Sequence, residues 1–253
     1  MAHQVELVPV AAPGLKAARS RGDELYVGLK DTFMVSRMAE GRTRFWTHGR
    51  EWRAVAGSVV IQQPGDVHRE VERDGVATYE ILRIDPSLVA EAYADVRLNA
   101  CLPPDDTRAQ SLHALLDAIA AGADRFTIDC ALAEAIGTMI ALEQPRKSHT
   151  FPVRRALAMI RERFAETVTL DELATHARLD KFHLCRAFRD QVGMPPHAYQ
   201  IQLRIMHAKL MLASGAKPKD IAPRVGLYDQ SQLNRHFRRI VGMTPGQFAA
   251  ANG

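Results

Sequence analysis

The C-terminal part of the chain contains the same pattern of residues twice, and this duplication constrains the fold more than any other feature. The first copy comprises Leu173, Ala174, Ala177, Leu184, Arg186, Phe188, Arg189, Gly193, Met194, Pro196 and Tyr199. The second copy comprises Ile221, Ala222, Val225, Leu233, Arg235, Phe237, Arg238, Gly242, Met243, Pro245 and Phe248. Equivalent positions are 48 residues apart before the turn and 49 apart after it, so the second copy has one extra residue. A repeat of this period indicates a duplicated supersecondary unit.

Each copy reads as a short helix, a tight turn and a second helix that carries paired arginines. This is the layout of a helix-turn-helix, and two of them in tandem predict DNA binding. Residues 196–213 between the copies predict an 18-residue helix, roughly 27 Å long at about 1.5 Å per residue. That length is close to the ~34 Å between major grooves on one face of DNA. One polypeptide could therefore read two adjacent grooves, and its site need not be palindromic.

The charge of the chain is unevenly distributed. From residue 151 to the end there are 16 Lys and Arg against 8 Asp and Glu, whereas the rest has 17 against 21. A basic half that also carries the repeat is typical of a nucleic-acid binder. Charge alone would equally fit a solvated surface, so the repeat carries the argument.

Several other classes of protein lack support in the sequence. Cys101, Cys130 and Cys185 are isolated and form no C-x-x-C pair, so we expect neither a zinc site nor disulfides. The N-terminus has no signal-peptide pattern, and no apolar run is long enough to span a membrane. Phosphate-loop, Rossmann and H-E-x-x-H motifs are missing. We therefore expect a cytoplasmic protein without catalytic residues, metal or cofactor and with no membrane partner.

The N-terminal part predicts a β-rich domain. Short β-rich runs alternate with turn residues over residues 23–84, namely 25–27, 33–35, 44–47, 58–61, 67–72 and 77–84. Strands at this spacing favour an antiparallel sandwich or small barrel. Two amphipathic helices follow, one marked by Leu112, Leu115, Leu116 and Ile119 and the other by Ile128, Leu132, Ile136, Met139 and Ile140.

These elements predict two domains and a linker. We expect a sensor or dimerisation domain over residues 1–145, a polar linker over 146–152 and a DNA-binding domain over 153–253. Within the last, Thr169 and Glu172 have the spacing of a capping box, and Thr244 with Gln247 resembles a second cap. The helix that starts at Pro196 should end at Ser214 and Gly215.

The repeat resembles the AraC/XylS family of bacterial transcription regulators. Beyond the duplicated positions, the residues that carry the resemblance are Arg204, Ala208, Leu212, Gly226, Leu227 and Thr244. The resemblance covers roughly residues 151–250 and implies two helix-turn-helix units joined by a long helix, each placing one recognition helix in a successive major groove. Activation is the commoner mode of this family and would imply RNA polymerase as a partner, although these residues do not separate an activator from a repressor.

Helical periodicity divides the residues of the recognition helices into buried and outward positions. Leu184 and Phe188 should be buried, as should Leu233 and Phe237. The outward residues, which we predict to contact DNA, are Lys181, Phe182, Cys185, Arg186, Arg189, Gln230, Ser231, Asn234, Arg235 and Arg238. The resemblance implies base contacts at Phe182, Cys185, Arg186, Gln230, Ser231, Asn234 and Arg235. Arg189, Arg238 and Arg239 are the expected phosphate contacts.

The second copy departs from the pattern of the first. Pro223 falls inside its first helix and removes a hydrogen bond to the carbonyl of Lys219, and an interior proline costs about 3 kcal/mol in a regular helix. Lys217 stands where the first copy has the capping residue Thr169. Leu227 occupies a position that is usually aromatic in the family. We hypothesise that the second unit is less rigid or binds less tightly than the first.

The N-terminal domain resembles the cupin-like sensor domains of the same family. The segments that carry this resemblance are residues 57–68 and 84–88. A catalytic metal cupin normally offers an H-x-H pair, but Arg50 follows His48 at that spacing, so His48 and His68 are better read as ligand hydrogen-bonders or surface histidines. Trp46 and Trp52 could wall an apolar ligand pocket or simply be core residues.

The whole pattern predicts a two-domain α+β protein. Its N-terminal cupin-like β-barrel or sandwich, with the helices that follow, would sense a small-molecule effector, and its C-terminal all-α tandem helix-turn-helix domain would bind double-stranded DNA as a transcription regulator. The helix stripe at Leu112 could pack on the sheet or form a homodimer, as the helices after the barrel commonly do in this family. The alternatives are a metal-dependent cupin enzyme with an incidental helical tail and a DNA-binding regulator without an effector.

Overall fold

The computed structural model describes residues 4–89, 97–98, 100–144 and 149–252. It divides into two compact units, residues 1–147 and 148–253. Of the predicted linker, residues 146–148 lie outside the described part of the chain, and a helix already begins at Phe151.

The first unit contains two antiparallel sheets, and its strands lie in the following order along the chain. They are β1 (Gln4–Val8), β2 (Leu15–Gly22), β3 (Val27–Leu29), β4 (Phe33–Glu40), β5 (Arg42–Thr47), β6 (Arg50–Val55), β7 (Val59–Gln62), β8 (Val67–Arg73), β9 (Ala77–Ile84), β10 (Arg97–Leu98), β11 (Cys101–Leu102) and β12 (Glu143–Gln144). The larger sheet has the order β1-β2-β9-β4-β7-β11 and the smaller has the order β3-β8-β5-β6, while β10 pairs with β12. The two sheets form an open sandwich, so of the two predicted forms the sandwich is the one observed.

Two helices cover one face of the larger sheet. Helices α1 (Gln110–Ala120) and α2 (Arg125–Ala141) share a core with sheet residues that include Val35, Ile61 and Leu82. The stripe of Leu112, Leu115, Leu116 and Ile119 is buried in this core, each residue being at most 5% exposed. The stripe therefore packs on the sheet of its own chain, which decides between the two alternatives that its sequence left open.

The sandwich extends beyond the strands that the sequence indicated. Strands β1, β2, β6, β10, β11 and β12 were not predicted, and the strand expected at residues 25–27 begins only at Val27. Strand β2 contains two Ala, one Lys and one Gly, which are depleted in strands, and none of the β-branched or aromatic residues that favour them. It is nevertheless paired with β9 along its whole length, from Leu15 to Gly22, so pairing with a neighbour overrides local propensity.

The second unit is helical throughout the part that the structure describes. Its helices are α3 (Phe151–Glu162), α4 (Leu170–Ala177), α5 (Lys181–Val192), α6 (Pro196–Ala213), α7 (Pro218–Arg224), α8 (Gln230–Val241) and α9 (Pro245–Asn252). Helix α6 has the predicted bounds. The first repeat is thus α4 and α5, the second repeat is α7 and α8, and α6 joins them.

The ends of these helices explain where the chain turns. The Thr169 hydroxyl accepts from Glu172 N at 3.2 Å, and Thr169 N donates back to the Glu172 carboxylate at 2.8 Å, so the predicted capping box is confirmed. Thr244 and Gln247 form the same reciprocal pair at 3.2 and 2.9 Å. Lys217 makes no such side-chain bond at the start of α7, which leaves that helix without its side-chain cap.

Candidate DNA interface and ligand-binding interior

Helices α5 and α8 are built on the same plan. Each has 12 residues, begins after an aspartate cap, Asp180 or Asp229, and ends at a glycine in the left-handed region, Gly193 or Gly242. A side chain that caps the free amides at a helix start and a glycine at its end fix both boundaries. The two helices therefore present equivalent positions at equivalent places.

The inner side of each recognition helix is an identical frame. Leu184 and Phe188 in α5 and Leu233 and Phe237 in α8 are completely buried, as the periodicity predicted. Phe188 meets Tyr199 edge to face at 5.8 Å between ring centroids, and Phe237 meets Phe248 in the same way at 5.5 Å. Burying side chains of this size stabilises each helix by several kcal/mol, at about 1.5–3 kcal/mol apiece. The scaffold of the two repeats is therefore the same, and only the outward residues can distinguish them.

The outward residues form what we call the reading face. It comprises Lys181, Phe182, Cys185, Arg186, Arg189, Gln230, Ser231, Asn234, Arg235 and Arg238. All of them are exposed except Cys185, which is half-buried. Phe182 is 76% exposed, which is unusual for so large an apolar side chain. The structure thus leaves every residue of the reading face accessible to a partner.

The arginines of the reading face are available for a ligand. Among the described residues, no carboxylate forms a salt bridge with Arg186, Arg189, Arg235 or Arg238. Lys181 differs, since its Nζ lies 3.4 Å from the Asp171 carboxylate within the first repeat. Unpaired guanidinium groups on a helix that projects from its core are suited to guanine edges and phosphate oxygens.

Sequence reasoning did not single out Tyr228. The aspartate caps are 49 residues apart while Leu179 and Leu227 are 48 apart, so Tyr228 is the extra residue of the second copy. Its side chain is 93% exposed, and it borders a shallow cleft with Ser231, Gln232 and Arg235. The one-residue change in the offset was the signal that could have found it.

The four candidate ligand residues of the first unit do not all meet. Phe45 and Trp52 are register partners and face the smaller sheet's inner side, where Phe45 stacks on His68 at 4.6 Å. Trp46 is adjacent to Phe45 on β5 and therefore faces the other side of the sheet, where Arg69 covers its ring. The structure therefore brings only Trp52 to the inner face of the smaller sheet, while Trp46 is buried on the other face, and ligand contact by either tryptophan stays a prediction.

His48 lies in a turn, whereas His68 lies on β8, and the two are close enough to interact electrostatically. His48 occupies the turn between β5 and β6 with a left-handed φ of 55°. Its Nε2 lies 2.6 Å from the Asp66 carboxylate but without the alignment of a hydrogen bond. The described residues contain no group of three or more His, Cys, Asp or Glu side chains placed to hold a metal ion.

A buried ion pair lies between the two sheets. A bulge between β5 and β8 turns Glu70 inward, opposite Phe45, while Glu72 remains outside. The Arg73 guanidinium donates to the Glu70 carboxylate and, at 2.7 Å, to the carbonyl of Gly22. The Tyr79 hydroxyl donates to the same carboxylate at 3.1 Å, and burial raises the pKa of that hydroxyl. The bonds of Arg73 to Gly22 and of Tyr79 to Glu70 connect this pair to the larger sheet, although Arg73 Nε is itself buried without a partner.

His68 lies beside this pair and is neutral. Burial, followed by the nearby charges of Lys30, Arg73 and His48, lowers the pKa of His68 well below its usual value. The Gln62 amide nitrogen lies 2.6 Å from Nδ1 of His68; with a neutral ring, Nδ1 accepts and the proton is on Nε2. Gln62 belongs to the larger sheet, so this bond joins the two sheets.

Around His68 lie a buried ammonium group and several buried polar atoms that lack a hydrogen-bond partner. Lys30 is 8% exposed, and its ammonium group lies 4.2 Å above the Tyr26 ring. Among the described residues, Thr47 Oγ1, Trp52 Nε1 and Gln62 Oε1 are buried without any hydrogen-bond partner. We call Lys30, Thr47, Trp52, Gln62 and His68 the polar interior. Unsatisfied buried groups are costly in a folded protein, so a concentration of them indicates a place for a polar ligand or water.

The remaining sequence expectations concern cysteines and the membrane. Cys101 is buried, Cys130 is exposed and Cys185 is half-buried, and all three are free thiols. Burial raises the pKa of the Cys101 thiol to about 12, so it is protonated and unreactive at neutral pH. Among the described residues, no helix combines the length and the apolar character that crossing a membrane requires.

Comparisons with known proteins agree with this arrangement. Residues 17–136 match the model of the AraC-like ligand binding domain, and residues 173–251 match that of a helix-turn-helix domain. The HTH-type transcriptional regulator YbfI of Bacillus subtilis is 25% identical over 219 residues, which cover 80% of this chain and 79% of YbfI. The probable transcriptional regulator LumQ of Photobacterium leiognathi is 30% identical over 90 residues, 35% of this chain and 36% of LumQ.

The fold has a relative among solved structures. An apo variant of ToxT from Vibrio cholerae superposes with a TM-score of 0.52 at 12% identity, covering 95% of this chain and 98% of that one. The matched ligand-binding and helix-turn-helix domains define an effector-responsive, DNA-binding transcription regulator. The chain belongs to the AraC family of transcription regulators.

Proposed function

We propose that the chain reads two successive major grooves with α5 and α8. The observation that carries this proposal is the pair of recognition helices with one buried frame and different outward residues. Base edges are contacted by Phe182, Cys185, Arg186, Gln230, Ser231, Asn234 and Arg235. Phosphates are contacted by Lys181, Arg189, Arg238 and Arg239. Because Phe182 and Cys185 stand where α8 has Ser231 and Asn234, the two half-sites differ in sequence.

Tyr228 joins this list as a phosphate contact of the second repeat. A tyrosine hydroxyl is a common donor to phosphate oxygens, and the side chain is exposed directly before the cap of α8. The first repeat has no equivalent of Tyr228, because Tyr228 is the extra residue of the second repeat.

The test of two-groove reading is a footprint on a selected DNA site with matched variants. Arg186→Ala should weaken protection of one half-site and Arg235→Ala that of the other. Asp190→Ala, an exposed change on α5 outside the reading face, is the control and should leave both footprints intact. A single protected groove, or equal loss at both half-sites for either arginine variant, would contradict the proposal.

We further propose that the polar interior holds the effector. Its groups without a hydrogen-bond partner are a donor, the Trp52 indole N–H, an acceptor, Gln62 Oε1, and the Thr47 hydroxyl, which can be either. With the Lys30 ammonium beside them, the ligand would be a small polar molecule that carries both acceptors and a donor. Of the original candidates, Trp52 and His68 belong to this site, whereas Trp46 and His48 do not.

Thermal-shift measurement over a panel of metabolites tests this site. A ligand that binds only the folded protein raises its melting temperature by mass action, and Trp52→Phe should reduce the shift while Trp46→Phe should not. If no metabolite produces a shift, regulation without an effector becomes the better account. If Trp46→Phe is the variant that abolishes the shift, the ligand binds elsewhere.

The regulatory setting follows from this assignment. We propose that the protein acts in the cytoplasm, where its DNA is, and is not an enzyme. Ligand binding would change the relative stability of two arrangements of domains 1–145 and 153–253, joined by the linker at 146–152, and so change DNA affinity. As an activator it would contact RNA polymerase, and a homodimer would need a surface other than the buried Leu112 stripe.

A further inference from the structure

The turn that follows α3 has carbonyl groups that no helix bond can satisfy. It comprises residues 163–166, which we call the brace turn, between the end of α3 and the cap at Thr169. The carbonyls of Phe164 and Glu166 lie beyond the end of α3 at Glu162, so a helix ladder cannot supply their partners and these must come from elsewhere. Here the partners come from the helix that joins the two repeats.

Arg204 of α6 binds two of these carbonyls. Its Nε donates to Phe164 O and its Nη2 to Glu166 O, both at 2.7 Å. Gln200, one turn earlier on α6, donates to the same two oxygens at 3.3 and 3.1 Å. Both side chains are more than nine-tenths buried, and burial lowers the pKa of Arg204. A planar guanidinium can serve two acceptors at fixed spacing, which an ammonium group cannot do.

Two further contacts attach the brace turn to the second repeat. The Phe164 ring stacks on His207 of α6 at 3.9 Å between centroids and packs against the core that contains Leu233 and Phe237. Gly226, at the end of α7, has a φ of +76°, and a Cβ there would lie 2.0 Å from Ala165 O. The backbone of the second repeat therefore rests directly on the brace turn.

The other end of the brace turn belongs to the first repeat. Helix α3 packs on α4 and α5, and its residues Val153, Ala156 and Ile160 are buried. A continuous series of packed groups thus runs from α5 through α3 and the brace turn to α7 and α8. This series is independent of the peptide connection through α6.

We propose that the brace turn, held by Arg204, fixes the second repeat against the first and so sets the spacing at which both half-sites can be bound. Arg204 is a positioning residue, since its side chain is buried among carbonyls and contacts no DNA. Two linked binding modules gain affinity from their effective concentration, which falls when the geometry between them loosens. Loosening the brace should therefore weaken the intact site and broaden its tolerance of altered spacing. This inference rests on the proposed reading of two half-sites.

The experiment measures binding of the full chain to the selected site and to versions with one or two base pairs inserted between half-sites. For the wild-type chain we expect insertion to cost roughly tenfold or more in affinity. Arg204→Lys should bind the unaltered site roughly tenfold more weakly and lose most of the penalty for insertion. Gly226→Ala, which strains the same contact from the second repeat, should behave in the same way.

The control is Arg161→Lys. Arg161 of α3 donates from Nε to the Tyr199 hydroxyl of α6 at 3.1 Å, so this variant disturbs an arginine bond to α6 outside the brace turn and should keep the wild-type spacing preference. If Arg204→Lys lowers thermal stability yet keeps that preference, Arg204 is only structural and the proposal fails. If the wild-type chain shows no second half-site, the two-groove reading fails instead. In that case hydrogen exchange of Arg204→Lys still tests whether the brace turn holds the second repeat. If it does, backbone amides in α7 and α8 should exchange faster than those in α4.

Discussion

At the scale of single residues, the two repeats separate what folds from what recognises. Leu184 and Phe188 coincide with Leu233 and Phe237 because the core beneath each recognition helix has the same shape. The outward positions carry no such constraint, and the position of Cys185 in the first repeat is occupied by Asn234 in the second. A common frame with different outward side chains allows one fold to bind two different sequences.

Arg186 offers the sharpest test at this scale. Arg186→Ala should cost about 1–3 kcal/mol of binding free energy and relax specificity at about one base position, because a bidentate contact to guanine is lost. Competition with a library of single-base variants of the site measures both effects. A uniform loss over all sequences would instead identify Arg186 as a phosphate contact, the behaviour that we expect of Arg189→Ala.

His68 predicts an acid sensitivity of the first unit. Its pKa in the folded chain is lowered well below the usual value, whereas in the unfolded chain it should be about 6.5. Above that pH both states are neutral; as the pH falls through it, the unfolded state binds more protons and the folded state loses stability. Thermal unfolding of the full chain between neutral and mildly acidic pH should show this loss, and it should be smaller in His68→Gln. An unchanged pH dependence in that variant would assign the sensitivity to other groups.

At the scale of elements, the second repeat lacks two supports that the first possesses. Thr169 caps α4 through a reciprocal bond with Glu172, whereas Lys217 gives α7 no side-chain cap. A missing cap costs typically about 1 kcal/mol. Pro223 then lies within the last turn of α7, where it cannot donate to the carbonyl of Lys219. That the second repeat is weaker stays a prediction. The brace turn would reduce the difference, because it supports the second repeat against the first.

Exchanging the proline between repeats tests this difference. Pro223→Ala should slow hydrogen exchange in α7 because it stabilises the helix. The gain should be less than the ~3 kcal/mol that a proline costs in mid-helix, because Pro223 lies near the end of α7. Thr175 is the equivalent position in α4, and Thr175→Pro should make the first repeat exchange faster. Equal exchange in α4 and α7 of the unaltered chain, together with equal protection of both half-sites, would rule out a weaker second repeat.

Elements also show where local sequence reasoning stops. The amphipathic helices and α6 follow from periodicity and from proline and glycine at their ends, which are local signals. Strand β2 has weak strand propensity and exists because β9 pairs with it. The bulge that turns Glu70 inward is likewise visible only in the pairing of β5 with β8, since Glu70 and Glu72 are indistinguishable in a simple alternating pattern.

At the scale of the whole molecule, the two halves of the chain differ in net charge. The part from residue 151 onward carries a net charge of +8 and the rest −4, from the counts of basic and acidic residues. A basic surface neutralises phosphates and releases counterions, so affinity for DNA should fall steeply as salt increases.

The salt dependence of binding by the full chain measures the number of phosphate contacts. The logarithm of the binding constant should fall linearly with that of the salt concentration, by ~0.9 for each contact. Arg189→Ala and Arg238→Ala should each make this slope shallower by ~0.9, the amount expected for the loss of one phosphate contact. A slope that does not change in either variant would place these arginines away from the phosphates.

The sequence by itself determined the two repeats, their buried frames, the outward residues and the length of α6. These properties depend on periodicity along a single helix, which is written in neighbouring residues. Only the tertiary structure decided that Trp46 faces away from Trp52, that polar groups gather around His68 and that Arg204 holds the brace turn. Those facts depend on strand register and on contacts such as that of Arg204 with Phe164, 40 residues apart. Contacts between residues so distant in the chain produce no pattern among neighbouring residues of the sequence.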